Sequence, residues 1–366
     1  MTISTTKKLA GITVAAGVIA ALAGCGAAPE SNGGSAGGGE AATDFLPCMV
    51  SDAGGFDDKS FNQLGYEGLL EAGDDLGVTP ITVESKDESE YAGNISSLID
   101  QNCNLIVTVG FLLAPAAAEA AEANPDVEFV SIDDMVDTDG DGKTDSENVK
   151  PLVYDTAQSA FLAGYAAAAY STTGKVGTFG GINIPTVSVF MDGFKQGVEY
   201  FNAQNSGSVQ VIGWDGSDGV FTGGFDANQD AINAAQGIVD QGVDVLLPVG
   251  GPIYQSAASV IRDSGRDIAL VGVDADVYES DPSVAELMLT SIRKGMDVSV
   301  KEVVEAAAKG EFDGSPYIGT LENGGVSLAP FHDFESKVPA GLKDEIEKIK
   351  AGIIDGSIPV ASYLTS

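Results

Sequence analysis

Short runs of apolar residues alternate with helical segments along most of this chain. Strand patterns occur, for example, at 105–111 (LIVTVGF), 127–133 (VEFVSID) and 245–249 (VLLPV), and segments with helical spacing of apolar residues follow them. Two strands that pair in parallel need a crossover connection, which is usually a helix. Repeated strand–helix units with short connections therefore predict an α/β protein whose parallel sheets are covered by helices on both faces.

The alternation runs through two rounds, the second of which begins near residue 175. The chain is also long enough to fill two cores rather than one. We therefore predict two doubly wound parallel-sheet lobes with a ligand cleft between them. We assign residues 44–152 plus 277–312 to an N-terminal lobe, and residues 153–276 plus 313–366 to a C-terminal lobe.

Residues 1–24 have the pattern of a lipoprotein signal peptide. Lys7 and Lys8 form a short positive region, and residues 9–21 are apolar but too few to span a bilayer comfortably. Small residues precede Cys25, as a lipoprotein signal peptidase requires. We expect acylation of Cys25 after cleavage, with palmitate-type chains that anchor the protein at the extracytoplasmic face of the cell membrane. An ordinary secretory signal with a chance cysteine is the alternative.

Residues 25–43 are rich in Gly, Ser, Ala and Glu without periodicity, which predicts a disordered tether. The chain carries 18 Lys and Arg against 54 Asp and Glu, a formal net charge of -36. Such acidity makes nucleic acid and anionic lipid headgroups unsuitable partners for the folded part. We expect a monomer that contacts the membrane through its lipid anchor only.

Two further cysteines, Cys48 and Cys103, each lie near the start of an apolar strand pattern. In a doubly wound sheet of order 2-1-3 the first and third strands are parallel neighbours, so their starts lie side by side. Export permits oxidation. We predict a disulfide between Cys48 and Cys103, and two separate buried thiols are the alternative.

The stretch 51–63 (SDAGGFDDKSFNQ) follows the first strand and precedes a helix, which is where open α/β sheets bind small molecules. Together with GVD at 272–274 and TSIRK at 290–294, it resembles the basic membrane protein family of lipoproteins. These are the substrate-binding components of nucleoside ABC importers. The resemblance covers nearly the whole mature chain. It implies a type I periplasmic-binding-protein fold, capture of a purine nucleoside, delivery to an ABC transporter permease, and no enzymatic activity.

The resemblance implies that Phe61 and Phe225 are the two stacking faces for the base, and such stacking contributes about 1–3 kcal/mol per base. Either ring could instead be an ordinary core aromatic. The carboxylate of Asp133 is expected to accept hydrogen bonds from purine ring nitrogens, with Asp134 as its rival. The other polar residues that the resemblance implies near the base are Asp52 and Asn62.

For the sugar, the resemblance implies close approach of the Gly251 backbone and hydrogen bonds from Asp274 and Lys294. A carboxylate that accepts from adjacent hydroxyls, paired with an ammonium that donates to them, suits a ribose diol. We expect Asp274 and Lys294 to come from opposite lobes, so that the ligand joins the lobes through them. Alternatively, Lys294 is a surface partner of Asp297.

An acidic insertion interrupts the family pattern at 137–148. It has acidic residues at positions 1, 3, 5 and 9 and Gly142 at position 6, the spacing of an EF-hand-type Ca²⁺ loop. Position 12 is Asn148 instead of the usual Glu. Weak binding of a structural Ca²⁺ and a merely solvated acidic loop are both open, and no other cofactor is expected. The candidate ligands are Asp137, Asp139, Asp141 and Asp145.

Two other classes of function compete with a binding protein. Asp52 with Asp57 and Asp58 is similar to the aspartate cluster that holds Ca²⁺ in nucleoside hydrolases, but the spacing is one residue too long. The lone histidine, His332, is far along the chain, so no nearby imidazole could protonate a leaving base. The other alternative is a ligand-sensing surface receptor without transport. We expect a binding protein with no catalytic residues.

Overall fold

A computed structural model of the protein describes residues 45–138 and 140–365. The predicted signal peptide, the tether and Cys25 lie outside these residues, and so does Asp139. Among the helices within these two ranges, none is long and apolar enough to cross a membrane.

The first sheet contains only parallel neighbours. In chain order its strands are β1 (Pro47–Ser51), β2 (Ile81–Val83), β3 (Leu105–Val109), β4 (Glu128–Ile132), β5 (Val149–Tyr154) and β11 (Tyr317–Gly319). Their spatial order is β11-β5-β4-β3-β1-β2. Strand β3 (LIVTV) is buried along its whole length, as expected for a parallel sheet that is covered on both faces.

The second sheet repeats this plan with one antiparallel edge strand. Its strands are β6 (Lys175–Gly180), β7 (Gln210–Ile212), β8 (Val245–Val249), β9 (Ala269–Asp274), β10 (Met288–Lys294) and β12 (Val326–Leu328). Their spatial order is β12-β10-β9-β8-β6-β7, and β12 runs antiparallel to β10. Each sheet with its helices forms one lobe.

Helices connect the parallel strands and cover both sheets. They are α1 (Phe61–Leu76), α2 (Tyr91–Asp100), α3 (Ala114–Ala123), α4 (Thr156–Tyr170), α5 (Pro185–Asn205), α6 (Gln229–Val239), α7 (Ile253–Ser264), α8 (Val277–Ser280), α9 (Met296–Ala308) and α10 (Leu342–Ile354). The alanine-rich α4 packs closely on α5. Gly164 makes this contact possible, because a Cβ there would lie 2.0 Å from the carbonyl oxygen of Phe194.

The chain passes from the first lobe to the second after β5, returns after β10, and passes to the second again between β11 and β12. The predicted fold class is confirmed. The predicted lobe boundaries are wrong for two strands: β10, within 277–312, pairs in the second sheet, and β11, within 313–366, pairs in the first. Alternation along the chain identifies strands, but the sheet in which a late, short strand pairs depends on tertiary contacts.

The predicted disulfide between Cys48 and Cys103 is present, with a Cα–Cα distance of 5.9 Å. Strand β1 lies between β2 and β3, and Pro47 is paired with Leu105, so the starts of β1 and β3 are adjacent as expected. Both cysteines are buried. The bond joins the amino-terminal edge of the first sheet, opposite the edge where the strands end.

Candidate ligand-binding site

The carboxyl ends of strands from both sheets border a cavity. The cavity lies where ligands bind in doubly wound sheets, because the strand ends and the loops that follow them meet there. All the residues predicted to bind ligand line this cavity: Asp52, Phe61, Asn62, Asp133, Phe225, Gly251, Asp274 and Lys294. Their contacts with a ligand stay a prediction.

Lys294, the last residue of β10, brings an ammonium group to this cavity. Its Nζ lies 2.6 Å from Asp133 Oδ2 and 3.6 Å from Asp274 Oδ1. The side chain of Lys294 is 3% exposed and that of Asp133 is 8% exposed. The ammonium also lies 4.9 Å from the ring centroid of Phe61 and 5.3 Å from that of Phe190. Lys294 is thus a buried, doubly paired cation and not a surface partner of Asp297.

The expectation that Asp274 and Lys294 come from opposite lobes is wrong. They end the adjacent strands β9 and β10 of the second sheet, where Asp274 is paired with Arg293. The contact that joins the lobes is instead the ion pair between Lys294 and Asp133, because Asp133 follows β4 of the first sheet. The same placement of β10 that changes the lobe boundaries therefore changes which pair spans the cleft.

Carboxylates outnumber ammonium groups along the wall of the cavity. Desolvation in the cleft raises the pKa of Asp52 to about 6. Burial also raises the pKa of Asp274 to about 6, although the nearby Lys294 ammonium opposes this shift. Burial raises the pKa of Asp133 as well, again against Lys294. The site is therefore rich in hydrogen-bond acceptors and carries an excess of negative charge.

Asp58 also lines the cavity, and its carboxylate holds the amino end of α1. It accepts hydrogen bonds from the backbone N–H groups of Ser60 (2.9 Å), Asn62 (2.9 Å) and Gln63 (3.1 Å). The N–H groups in the first turn of a helix have no partner within the helix, so a side-chain acceptor at this place satisfies them. The side chain of Asp58 therefore caps α1, whereas that of Ser60, the residue before the helix, makes no capping bond.

Asn62, which lines the cavity, has an unused acceptor. Its Nδ2 donates to Asp52 Oδ1 at 2.8 Å and to Asp58 Oδ2 at 3.2 Å. Its Oδ1 is buried and accepts no hydrogen bond from the part of the chain that the structure describes. A buried acceptor without a donor is costly, by about 1–3 kcal/mol. A ligand that donates to this oxygen removes the cost.

The two predicted stacking residues are both half-buried at the cavity wall. Phe61 is the first residue of α1. The ring of Phe225 packs against the backbone of Gly181 and Gly250, where a Cβ would come within 2.3 Å and 2.6 Å of it. Both rings also pack against the main hydrophobic core. Each ring is thus held by core contacts while it borders the cavity.

Unusual backbone conformations occur where strands end at the cavity. Asp133 has φ of +68° and Asp274 has φ of +66°, in the left-handed region that most side chains avoid. Gly251, with φ of +48°, adopts the same region. Such conformations cluster at functional sites, because the surrounding structure holds them. Of the two rival carboxylates, Asp133 lines the cavity, whereas Asp134 accepts a hydrogen bond from the Val136 N–H at 2.6 Å.

A third wall of the cavity was not predicted from the sequence. Ile184, Thr186 and Phe190, at the start of α5, line it together with Phe111 and Leu112 after β3. A position soon after a strand end was the available signal for Phe111, Leu112 and Ile184, but not for Phe190, which lies inside α5. Apolar residues at a helix start, however, look the same in sequence whether they face a core or a cleft.

The predicted calcium loop shows no metal-binding cluster among the residues that the structure describes. The carboxylate of Asp137 accepts hydrogen bonds from the backbone N–H groups of Gly140 and Gly142, both at 2.8 Å. Asp145 accepts from Thr138 N–H at 2.9 Å, and Asp141 accepts from Lys143 N–H at 2.9 Å. The remaining candidate ligand, Asp139, lies outside the described residues. Calcium binding stays a prediction.

The two-lobed fold is similar to solved structures of binding proteins and regulators. An ABC transporter solute-binding protein from Aeropyrum pernix K1 matches with a TM-score of 0.76 and 22% identity, over 87% of this chain and 93% of that chain. A transcriptional activator of the comK gene from Bacillus halodurans matches with a TM-score of 0.67 and 23% identity, over 86% of this chain and 99% of that chain. These likenesses establish the fold.

The sequence also aligns with related proteins over most of its length. The ABC transporter nucleoside-binding protein BmpA of Lactococcus lactis is 29% identical, over 97% of this chain and 99% of its own. Basic membrane protein A1 of Borrelia garinii is 27% identical, over 84% of this chain and 86% of its own. A family profile described as "ABC transporter substrate-binding protein PnrA-like" matches residues 45–360. The resemblance to basic membrane proteins is thereby confirmed, and the chain belongs to this family of substrate-binding proteins, which are not enzymes.

Proposed function

We propose that this protein captures purine nucleosides at the outer face of the cell membrane and delivers them to an ABC importer. The observation that carries the proposal is the composition of the cleft wall. Half-buried aromatic rings, Phe61 and Phe225, border a cavity whose polar groups are mainly acceptors, together with the ammonium of Lys294. A purine nucleoside combines a flat base with several N–H and O–H donors, which match these rings and acceptors.

The charge of the cleft supports an unphosphorylated ligand. Asp52, Asp58, Asp133 and Asp274 all line the cavity, with Lys294 as the ammonium among them. A phosphate group would bring further negative charge into this desolvated, acidic site, where like charges repel strongly. A neutral nucleoside instead donates its hydroxyl and ring N–H groups to the carboxylates. The name of the L. lactis relative, a nucleoside-binding protein, supports the same class of ligand.

Capture in this proposal depends on closure of the lobes around the ligand. Asp133 belongs to the first lobe, whereas Asp274 and Lys294 belong to the second. A ligand that contacts these residues stabilises the closed form by its higher affinity for that form. We propose that Asp133 binds the base edge, that Asp274, Lys294 and the Gly251 backbone bind the ribose, and that the permease recognises the closed form.

The test is calorimetry against a panel of nucleosides with the wild type and Phe61→Ala. Inosine, guanosine or adenosine should bind the wild type, and inosine monophosphate should bind at least tenfold more weakly, because of the acidic wall. Phe61→Ala should weaken purine nucleoside binding at least tenfold, since stacking contributes about 1–3 kcal/mol per base. Absence of binding to every nucleoside would refute the proposed function.

Phe312→Ala is the matched control for Phe61→Ala. Phe312 is likewise half-buried and packed against the main core, but it does not line the cleft cavity. Its replacement should lower the melting temperature without changing nucleoside affinity. Equal affinities of the Phe61→Ala variant and the wild type would exclude Phe61 from the binding site.

We propose that acylated Cys25 anchors the protein to the membrane, because Cys25 follows a signal-peptide pattern with small residues before it. Cys25→Ser should move the protein from the membrane fraction to the soluble extracytoplasmic fraction. Nucleoside affinity should be unchanged, because Cys25 precedes the ligand-binding residues by a predicted tether at 25–43. Retention of Cys25→Ser in membranes after a detergent-free wash at high salt would contradict the lipid anchor.

A further inference from the structure

Two hydrogen bonds join the lobes directly at a place beside the cavity. The hydroxyl of Ser60, in the first lobe, donates to the carbonyl oxygen of Val273 in β9 at 3.0 Å, and it lies 3.3 Å from Asp274 Oδ2. In the reverse direction, the hydroxyl of Ser280, at the end of α8 in the second lobe, donates to the carbonyl oxygen of Lys59 at 2.7 Å. Of two adjacent residues in the first lobe, Ser60 therefore donates a hydrogen bond to the second lobe and Lys59 accepts one from it.

The Ser60 hydroxyl is available for this contact because another residue caps α1. Serine at a helix start ordinarily accepts a hydrogen bond from a backbone N–H of the first turn. Here the Asp58 carboxylate accepts from those N–H groups, including that of Asn62 at 2.9 Å. Ser60 is fully buried and makes no capping bond. Its hydroxyl therefore reaches the facing lobe without leaving the helix end unsatisfied.

The partner residue, Lys59, has an uncommon backbone conformation. Its φ of +59° lies in the left-handed region, which a lysine adopts only when its surroundings hold it there. Lys59 is half-buried, and its carbonyl oxygen accepts the bond from Ser280. The contact with the second lobe is thus one of the interactions that hold this conformation.

These bonds differ from the ion pair between Lys294 and Asp133, which also joins the lobes. Both members of the ion pair line the cavity, so a ligand competes for their hydrogen bonds. Lys59, Ser60, Val273 and Ser280 do not line it. The bonds from Ser60 to the Val273 carbonyl and from Ser280 to the Lys59 carbonyl can form whether the cavity is empty or filled, whereas Asp274, which lies 3.3 Å from Ser60 Oγ, lines the cavity.

We propose that Lys59, Ser60, Val273 and Ser280 form an interlobe clasp that stabilises the closed form independently of the ligand. The clasp lets the empty protein visit the closed form, and it slows opening once the ligand is inside. Loss of either hydroxyl should therefore raise the dissociation rate constant much more than it lowers the association rate constant.

The test measures closure of the full-length protein in detergent, without ligand, for the wild type and Ser280→Ala. Spin labels are attached through Ala92→Cys in α2 and Asn233→Cys in α6, which are exposed positions in opposite lobes. Both lie near helix starts that follow strand ends, so lobe opening should lengthen the distance between them. In pulsed dipolar EPR, Ser280→Ala should reduce the short-distance population severalfold. In Ser280→Ala, the dissociation rate constant of inosine should be about tenfold higher than in the wild type, as expected for one lost hydrogen bond. The association rate constant should stay within about twofold of the wild-type value.

Ser96→Ala is the matched control, since Ser96 is exposed on α2 and is not one of the four clasp residues. It should change neither readout, whereas Ser60→Ala should reproduce the effect of Ser280→Ala. Identical distance distributions for the wild type and Ser280→Ala would overturn the proposal. The proposal would also be overturned if the ligand-free wild type showed no population at short distance between the labels. Because the distance measurement uses no ligand, it tests whether the clasp stabilises the closed form even if nucleosides prove not to bind.

Discussion

Replacement of Lys294 by methionine is expected to lower the free energy of unfolding by about 3 kcal/mol and to abolish ligand binding. Removal of one partner from a buried ion pair costs about 3–5 kcal/mol, because it leaves a charge uncompensated. Here the loss leaves Asp133 and Asp274, both buried, without their cation. Thermal unfolding and calorimetry with inosine would measure the two effects.

The destabilisation by Lys294→Met should depend on pH in a defined direction. Burial already raises the pKa of Asp274 from 3.8 to about 6, although Lys294 opposes the shift, so loss of the ammonium should raise this pKa further. A carboxyl whose folded pKa exceeds its unfolded pKa binds more protons in the folded state, so stability falls as pH rises through that interval. The melting temperature of Lys294→Met, relative to wild type, should therefore improve as pH is lowered from 8 towards 5.

Lys301→Met is the matched control. Lys301, on α9, also forms ion pairs with two carboxylates, Glu71 and Asp75, but its side chain is 30% exposed and that of Asp75 is 58% exposed. Exposed pairs contribute only about 0–1 kcal/mol. This variant should thus keep near wild-type stability and full affinity. Equal stability losses in the Lys294 and Lys301 variants would mean that burial of the Lys294 pair has no special role.

Removal of the disulfide by Cys48→Ala with Cys103→Ala should lower the free energy of unfolding by about 4 kcal/mol. The bond spans a sequence separation of 55 residues. A cross-link of that span removes conformational entropy from the unfolded chain, which corresponds to about 4 kcal/mol in the loop-entropy relation. Urea unfolding, monitored by far-UV circular dichroism, would measure the difference.

Nucleoside affinity should change little in the disulfide variant. The cysteines lie at the starts of β1 and β3, whereas the cavity lies where the strands end. Reduction of the wild type with dithiothreitol provides the control, since it should lower wild-type stability to that of the variant and leave the variant unchanged. A variant as stable as the oxidised wild type would show that the bond does not constrain the unfolded chain.

Much of the cavity was predictable because its residues follow strands in the sequence. Asp52, Asp133 and Asp274 each stand directly after an apolar strand or at its end, and parallel strands bring such positions to one edge. The disulfide was predictable for the same reason at the opposite edge. Phe190 was not predictable, because an apolar residue inside an amphipathic helix has the same pattern whether it faces a core or a cleft.

The sequence by itself determined the α/β class, the family and eight of the residues that line the candidate site, because strand–helix alternation and local motifs are properties of neighbouring residues. Only the tertiary structure decided which lobe each site residue belongs to. Strand β10 pairs with β9, which places Lys294 beside Asp274 and makes Asp133 its partner across the cleft. Ser60 likewise contacts Val273 over a separation of 213 residues. Such contacts follow from how strands order themselves within sheets, and that order depends on the packing of the whole chain.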